Sequence, residues 1–337
     1  MDRRGFSNRL GLRWARLIPL LALSGCSTRA FWLFHPRGAV AAAEFHVMLL
    51  DVGIMLAIVL TAGLMALVFL YRYRKPRRQA YDPTFVKSNR IEVLVWGVPL
   101  LTVGVLAYFS YQAVFATNPY HPKAITRYEK TEARKGMAVG PAGALRPAIT
   151  VPGKKPVHVD VITTDWQWLF IYPHRHIASL NKLVVPVGTP VDFRLTSATV
   201  VNDFFIPKLV GEIDVMPGMR TKQAMIVSKP GVYSGYSADY SGGGFSWMEF
   251  VTKVVTAGQY RRWTHRMAHA RRSLTDTTFN RIAAPTINLA HTPKAFAHVQ
   301  PGLFRHVVQR VMQGKVYATP TAMTENMKKP RGVRVIH

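Results

Sequence analysis

Residues 47–70 read VMLLDVGIMLAIVLTAGLMALVFL, with a single charge, Asp51, near the start. As a helix this stretch would measure about 36 Å, enough to cross a bilayer with some tilt. Residues 93–115, VLVWGVPLLTVGVLAYFSYQAVF, form a second such run. Its Pro99 is tolerated in a membrane helix where neighbouring groups satisfy the freed carbonyl. Between the two runs lie Arg72, Arg74, Lys75, Arg77, Arg78, Lys87 and Arg90, opposed only by Asp82 until Glu92 at the edge of the second run. A short, strongly basic loop stays on the cytoplasmic side. The pattern predicts a helical hairpin whose two outer ends, and everything after residue 115, lie on the opposite side.

Upstream, Arg3, Arg4, Arg9, Arg13 and Arg16 precede a short apolar run at 17–23, followed by Ser24, Gly25 and Cys26. This order is that of a bacterial lipoprotein signal spanning 1–25, with cleavage freeing Cys26 to carry a diacylglycerol. Cys26 is the only cysteine. Once lipidated, the chain would have no thiol left for a disulfide, a nucleophile, an iron–sulfur cluster or a thiolate-bridged copper centre. Residues 26–117 then hold the lipidated start and the hairpin. Two spans already anchor such a chain, so the lipid is largely redundant for retention.

Downstream, residues 118–156 are rich in Pro, Gly, Lys and Arg without apolar periodicity, the composition of a linker. Segments 157–164, 166–172, 183–187, 190–195, 221–228 and 247–254 then alternate or run apolar, with Gly188, Pro217-Gly218 and Pro230-Gly231 as turns. Short strands at this spacing predict an all-β sandwich or barrel over 157–255. After Thr256 the spacing becomes helical, through Tyr260, Trp263 and Met267 and again through Leu303, Val307, Val308 and Val311, which predicts a helical extension over 256–314. Residues 315–337 carry little apolar content and read as a disordered tail.

The formal charge of +27 raises the question of a nucleic-acid partner. Loss of 1–25 removes five arginines and Asp2, leaving +23, and the cytoplasmic loop holds several more. No nucleic-acid-binding motif accompanies the remainder. Arg261, Arg262, Arg266, Arg271 and Arg272 fit a solvated face or a contact with anionic membrane lipid, and no nucleic acid is expected. His174 with His176, and His265 with His269, have the spacing of ligand pairs but no third ligand nearby and arginines around them, so no metal is expected there. Gly242-Gly243-Gly244 lacks the Lys-Ser/Thr of a phosphate loop and reads as a β-turn.

Four blocks in order, SNRIEVLVWGVP at 88–99, DWQW at 165–168, NDFFIP at 202–207 and GYSADYSG at 235–242, resemble subunit II of haem-copper respiratory oxidases. The resemblance runs from Cys26 to about Gly314. It implies a two-helix membrane hairpin and a cupredoxin-like sandwich with a C-terminal helical extension. In the cytochrome c oxidase branch that sandwich holds a dinuclear copper centre on two cysteines, two histidines, a methionine and a carbonyl of an acidic residue. Here Asn202 stands at the first histidine position, Ser237 and Ser241 at the cysteines, Asp239 at the acidic position and Phe245 at the second histidine. Only Met248 persists. A serine hydroxyl stays protonated near neutral pH and is a hard donor where copper favours soft ones, so no metal or other cofactor is expected on this chain.

That loss is similar to the quinol-oxidase branch, the cytochrome o type above all, in which quinol dissolved in the bilayer reduces the large subunit directly. The resemblance implies haems and copper in that large subunit, further small membrane subunits as partners, ubiquinol as substrate of the complex and no cytochrome c. It places the chain in a bacterial inner membrane with its soluble domain in the periplasm. Trp166, Trp168 and Tyr172 would pack the core or a partner interface. Glu92, between the basic loop and the second span, is implied to sit at the mouth of a proton channel shared with the large subunit, while its residue chemistry alone also fits an interfacial acid favoured by a helix N-terminus. Asp51 reads as an interfacial or subunit-contact residue. The rival expectation is a membrane-tethered periplasmic binding or scaffold module built on the same sandwich.

Overall fold

The computed structural model describes residues 34–73, 88–120, 123–136, 155–286, 294–315 and 317. The signal-type segment with Cys26, the basic stretch 74–87 and the residues after 317 lie outside the described residues. Helix α1, Ala39–Arg72, has 34 residues, or about 51 Å, well beyond a hydrocarbon core of about 30 Å. The surplus is at its start. Val40 and Ala41 are buried against the soluble domain, and the Ala39 N–H donates to the Ile226 carbonyl at 3.2 Å. Glu44 and His46 interrupt the apolar pattern there, so the sequence alone marks the span only from residue 47. Helix α2, Asn89–Thr117, follows Ser88, carries Glu92 in its first turn and Pro99 inside, and has no buried residue. Both helices are long and apolar enough to cross a membrane.

The expected linker holds a third helix, α3, Lys123–Gly136, packed on both membrane helices. Its sequence, KAITRYEKTEARKG, offers only Ile125 and Tyr128 as an apolar pair three residues apart. Ile125 is buried and Tyr128 half-buried against the sandwich core. Tertiary contact rather than a long apolar stripe holds this helix in place.

The soluble domain comprises β1 Val157–Thr164, β2 Gln167–Tyr172, β3 Ile177–Leu180, β4 Lys182–Pro186, β5 Val191–Ser197, β6 Asn202–Ile206, β7 Val210–Val215, β8 Thr221–Met225, β9 Gly231–Tyr236 and β10 Glu249–Val255. Strands β11 Ser273–Leu274 and β12 Ala295–Val299 come from the C-terminal extension. One sheet runs β11-β12-β3-β2-β1-β5-β8 and the other β4-β10-β9-β6-β7. Every residue of β2 is buried. The reason is visible in its alternation. Trp168, Phe170 and Tyr172 enter the core between the sheets, while Leu169 and Ile171 enter a second cluster on the outer face of the same sheet. A strand covered on both faces reads as a continuous apolar run.

The extension supplies that outer cover. Helix α4, Ala257–Ala268, packs instead on the core between the sheets: it starts with a capping box between Thr256 and Gln259 and sets Trp263 edge-on to Tyr172 at 5.1 Å. Helices α5, Asp276–Ile282, and α6, Leu303–Met312, bury Phe279, Leu303, Val307 and Val308 against β2 and its neighbours. The segment expected to be purely helical therefore also adds two strands, with β12 pairing antiparallel to β3 and β11 parallel to β12.

Candidate functional site

The positions singled out by the sequence converge at the loop between β9 and β10. Asn202 opens β6, Ser237 follows β9, and Met248 precedes β10. Asn202 and Ser237 are buried, and the single Ser237 hydroxyl proton faces two acceptors, Asn202 Oδ1 at 3.4 Å and the Asp239 carbonyl at 3.3 Å. The Asp203 N–H donates to Ser237 Oγ at 3.1 Å, and the Ser237 N–H to the Met248 carbonyl at 3.3 Å. Asn202 Nδ2 donates to Thr163 Oγ1 and to the Val200 carbonyl. Asn202, Ser237 and Met248 thus form one hydrogen-bonded unit whose donors are directed at protein acceptors.

Ser241, Asp239 and Phe245 do not complete a ligand sphere. Ser241 Oγ is buried without a partner, Asp239 is exposed, and Phe245 is half-buried edge-on to Tyr240 at 5.7 Å. The donor set is an amide, two hydroxyls, one exposed carboxylate and one thioether, which does not fit a thiolate-bridged copper pair. Among the described residues no group of three or more His, Cys, Asp or Glu could hold a metal ion. The His265 and His269 rings lie 4.6 Å apart, tilted by 41°, with His269 Nδ1 2.8 Å from the His265 carbonyl, and the His174 ring lies 5.3 Å from that of His158.

Two tryptophans shape this loop. Trp166 Nε1 donates to the Ser241 carbonyl at 2.9 Å and Trp168 Nε1 to the Met248 carbonyl at 3.2 Å. The glycine run is explained by the first of them. A Cβ at Gly244 would fall inside the Trp166 indole, and Gly242 takes a positive φ of 109° beside the same ring. The DWQW and GGG blocks are thus two halves of one packing arrangement, which fixes the course of the loop.

Asp203 was missed by sequence reasoning. In the antiparallel β6–β7 register it stands directly opposite Asp214. Burial, then the Asp214 carboxylate beside it and the charges of Asp239 and Glu212, push its carboxyl up to about 7. Acids at 203 and 214 carry no sequence signal for each other, because only the hairpin register brings them together.

Glu92 lies far along the chain from this loop, exposed in the first turn of α2, with its N–H donating to the Ser88 carbonyl at 3.0 Å. Asp51 is half-buried on α1. The structure brings neither into the loop region.

Residues 152–255 match the family described as cytochrome c oxidase subunit II, periplasmic domain, and residues 270–315 match the cytochrome oxidase aromatic-rich motif. The second match covers Phe279, Phe296 and Phe304, all buried in the cluster on the outer face of the large sheet. Among relatives, the ubiquinol oxidase subunit 2 of Acetobacter aceti is 37% identical over 313 residues, covering 92% of each chain. The cytochrome bo(3) ubiquinol oxidase subunit 2 of Pseudomonas aeruginosa is 34% identical over 300 residues, 89% of this chain and 81% of that one. The quinol oxidase subunit 2 of Bacillus cereus is 31% identical over 280 residues, 81% of this chain and 86% of that one.

Proposed function

The chain belongs to the ubiquinol oxidase subunit 2 family, and from that premise we propose that it serves a proton-translocating oxidase that couples ubiquinol oxidation to the reduction of oxygen to water in an aerobic respiratory chain. The two spans anchor it in a membrane, taken here as the bacterial inner membrane, with the sandwich on the periplasmic side and Cys26 as the lipidated residue. It acts as a component rather than as the catalytic centre. The haems and copper belong to a separate large subunit, clamped by the hairpin and accompanied by further small membrane subunits.

The observation that carries this reading is the self-satisfied Asn202–Ser237–Met248 unit. A water-soluble cytochrome needs an exposed redox centre to receive its electrons, and an amide, hydroxyls and a lone thioether with no thiolate cannot supply one. Quinol reaches a membrane-buried acceptor from the bilayer itself, so a copper-free sandwich is compatible with quinol as donor and with no role for cytochrome c. Oxidation of quinol to quinone releases protons with the electrons. Oxygen reduction and pumping draw protons from the opposite face, where the basic turn between the spans would lie. Glu92, at the start of α2 beside that turn, is proposed to pass those protons toward the large subunit.

The test is oxygen uptake by the complex that co-purifies with a tagged copy of this chain, driven in parallel by ubiquinol and by reduced cytochrome c. Uptake with quinol alone is expected. Uptake with cytochrome c would overturn the donor assignment, and a chain that captures no haem-bearing subunit would favour the scaffold reading.

A further inference from the structure

We propose that the cleft between the large sheet and the start of α6 is a binding site for a phosphate group, either a phospholipid headgroup or a small soluble phosphate ester. The cleft has a volume of about 290 Å³ and is bordered by Arg194 of β5, Arg220 ahead of β8 and Arg305 of α6. Three separate elements bring three guanidinium groups to one concavity. The bordering acid is Asp160, and it is already committed. Both of its oxygens accept from Arg194, from Nε at 2.6 Å and Nη2 at 2.7 Å. Arg194 is further fixed over the Phe304 ring at 5.5 Å. Arg220 and Arg305 are exposed, and neither has a carboxylate within ion-pair distance among the described residues.

The charges of Arg220 and Arg305, unlike that of Arg194, have no counter-charge among the described residues, and a bound anion supplies one. Arginine forks match the oxygens of a phosphate better than a point charge does. The cleft is also open where an anion would need space, since nothing lies within 4 Å of a Cβ built on Gly302 at its edge. Arg194 and Pro173 border a second cavity as well, of about 460 Å³, which reaches Tyr120. Tyr120 is three residues past the end of α2, at most about 11 Å of chain, so a headgroup at the membrane surface has a path to the arginines. Lys222, opposite Arg194 in the β5–β8 register, adds a cation to that path, and Asp192, 3.7 Å from His158 Nδ1, adds an acid.

The experiment uses the purified full-length chain in detergent and a double variant, Arg220→Gln with Arg305→Gln. Both positions are exposed, so the variant should fold, and an unchanged circular dichroism spectrum and melting temperature without ligand check that. Inorganic phosphate and glycerol 3-phosphate are titrated calorimetrically at fixed ionic strength, and phospholipid retained after exchange from phosphatidylglycerol or phosphatidylcholine nanodiscs is counted by native mass spectrometry. The expected result is phosphate-ester binding or phospholipid retention by the parent chain, weakened about tenfold or more in the double variant. Retained lipid with little response to the soluble probes assigns a headgroup; the reverse assigns a soluble ester. No binding of any probe, or binding that the double variant leaves unchanged, overturns the site. Neither arm depends on quinol or oxygen, so its failure is separate from failure of the oxidase reading.

Discussion

Helix α2 and strand β2 are both apolar runs, yet they meet opposite fates. Trp96 of α2 is 75% exposed, whereas Trp168 of β2 is fully buried between Phe204 and Phe250, 5.6 and 5.0 Å from their rings. The difference shows where each region takes its stability. The sandwich removes its own apolar surface from water. The hairpin keeps its apolar surface outward, and its backbone satisfies itself within each helix.

The most direct way to break that contrast is to truncate each tryptophan. Trp168→Ala deletes two ring contacts and the donor to the Met248 carbonyl, and should cost the soluble domain about 3–5 kcal/mol. Trp96→Ala should leave thermal unfolding of the detergent-solubilised chain almost unmoved. Equal losses would mean that the hairpin is internally packed after all. Gly244→Ala probes the sandwich more locally, because the added methyl must displace the Trp166 indole. A loss of about 1–3 kcal/mol is expected, with a changed Trp fluorescence spectrum; an unperturbed spectrum and stability would show that the loop yields freely.

On the hairpin side, Glu92→Gln should lower quinol-driven oxygen uptake about tenfold, equivalent to about 1.4 kcal/mol in barrier, while the complex still assembles. Full turnover in an assembled variant would remove Glu92 from the proton path. The smallest effect belongs to Asp203. Its folded value of about 7 lies above the ordinary 3.8, so the folded chain keeps a proton that the unfolded chain releases as pH rises between those values. Stability from this group is therefore full below about pH 4 and declines toward pH 7. Asp203→Asn, neutral throughout, should melt with the parent near pH 4 and above it near pH 8, by about 2–4 °C once solvent screening of the pair has reduced the full linkage effect. A parent melting temperature that shows no relative decline across that window would contradict the carboxyl pair.

Much of this architecture is legible in the residues. The hairpin is plain from two apolar runs separated by arginines, and β1, β2, β4, β5, β8 and β10 follow from β-branched and aromatic runs between glycine and proline turns. Strand β7, VGEIDV, alternates apolar with acidic side chains and lies too close to β6 to stand out. Strand β3 has only four residues, and β12 joins the large sheet from more than a hundred positions away. Helix α3 shows too short an apolar stripe to announce itself. At the loop between β9 and β10, substitution chemistry alone identifies Asn202, Ser237 and Ser241 as unsuited to copper. The Asp203–Asp214 pair and the packing of Trp166 on Gly244 depend on strand register and loop closure, which local spacing does not encode.

The seam where α1 meets the sandwich has a consequence for how the protein is made. Arg37 and Gly38 donate their N–H groups to the Lys208 carbonyl, Ser228 returns a bond to the Arg37 carbonyl, and a Cβ at Gly38 would collide with Leu209. Arg37 and Gly38 are thus stitched to the ends of strands synthesised about 170–190 residues later. Until β6 to β8 have been synthesised and folded, this edge of the anchor has nothing to hold. A soluble fragment cut after α2 would lack the same piece, leaving Leu209 and Val227 uncovered along an open groove, so the anchor is also a structural part of the domain it tethers.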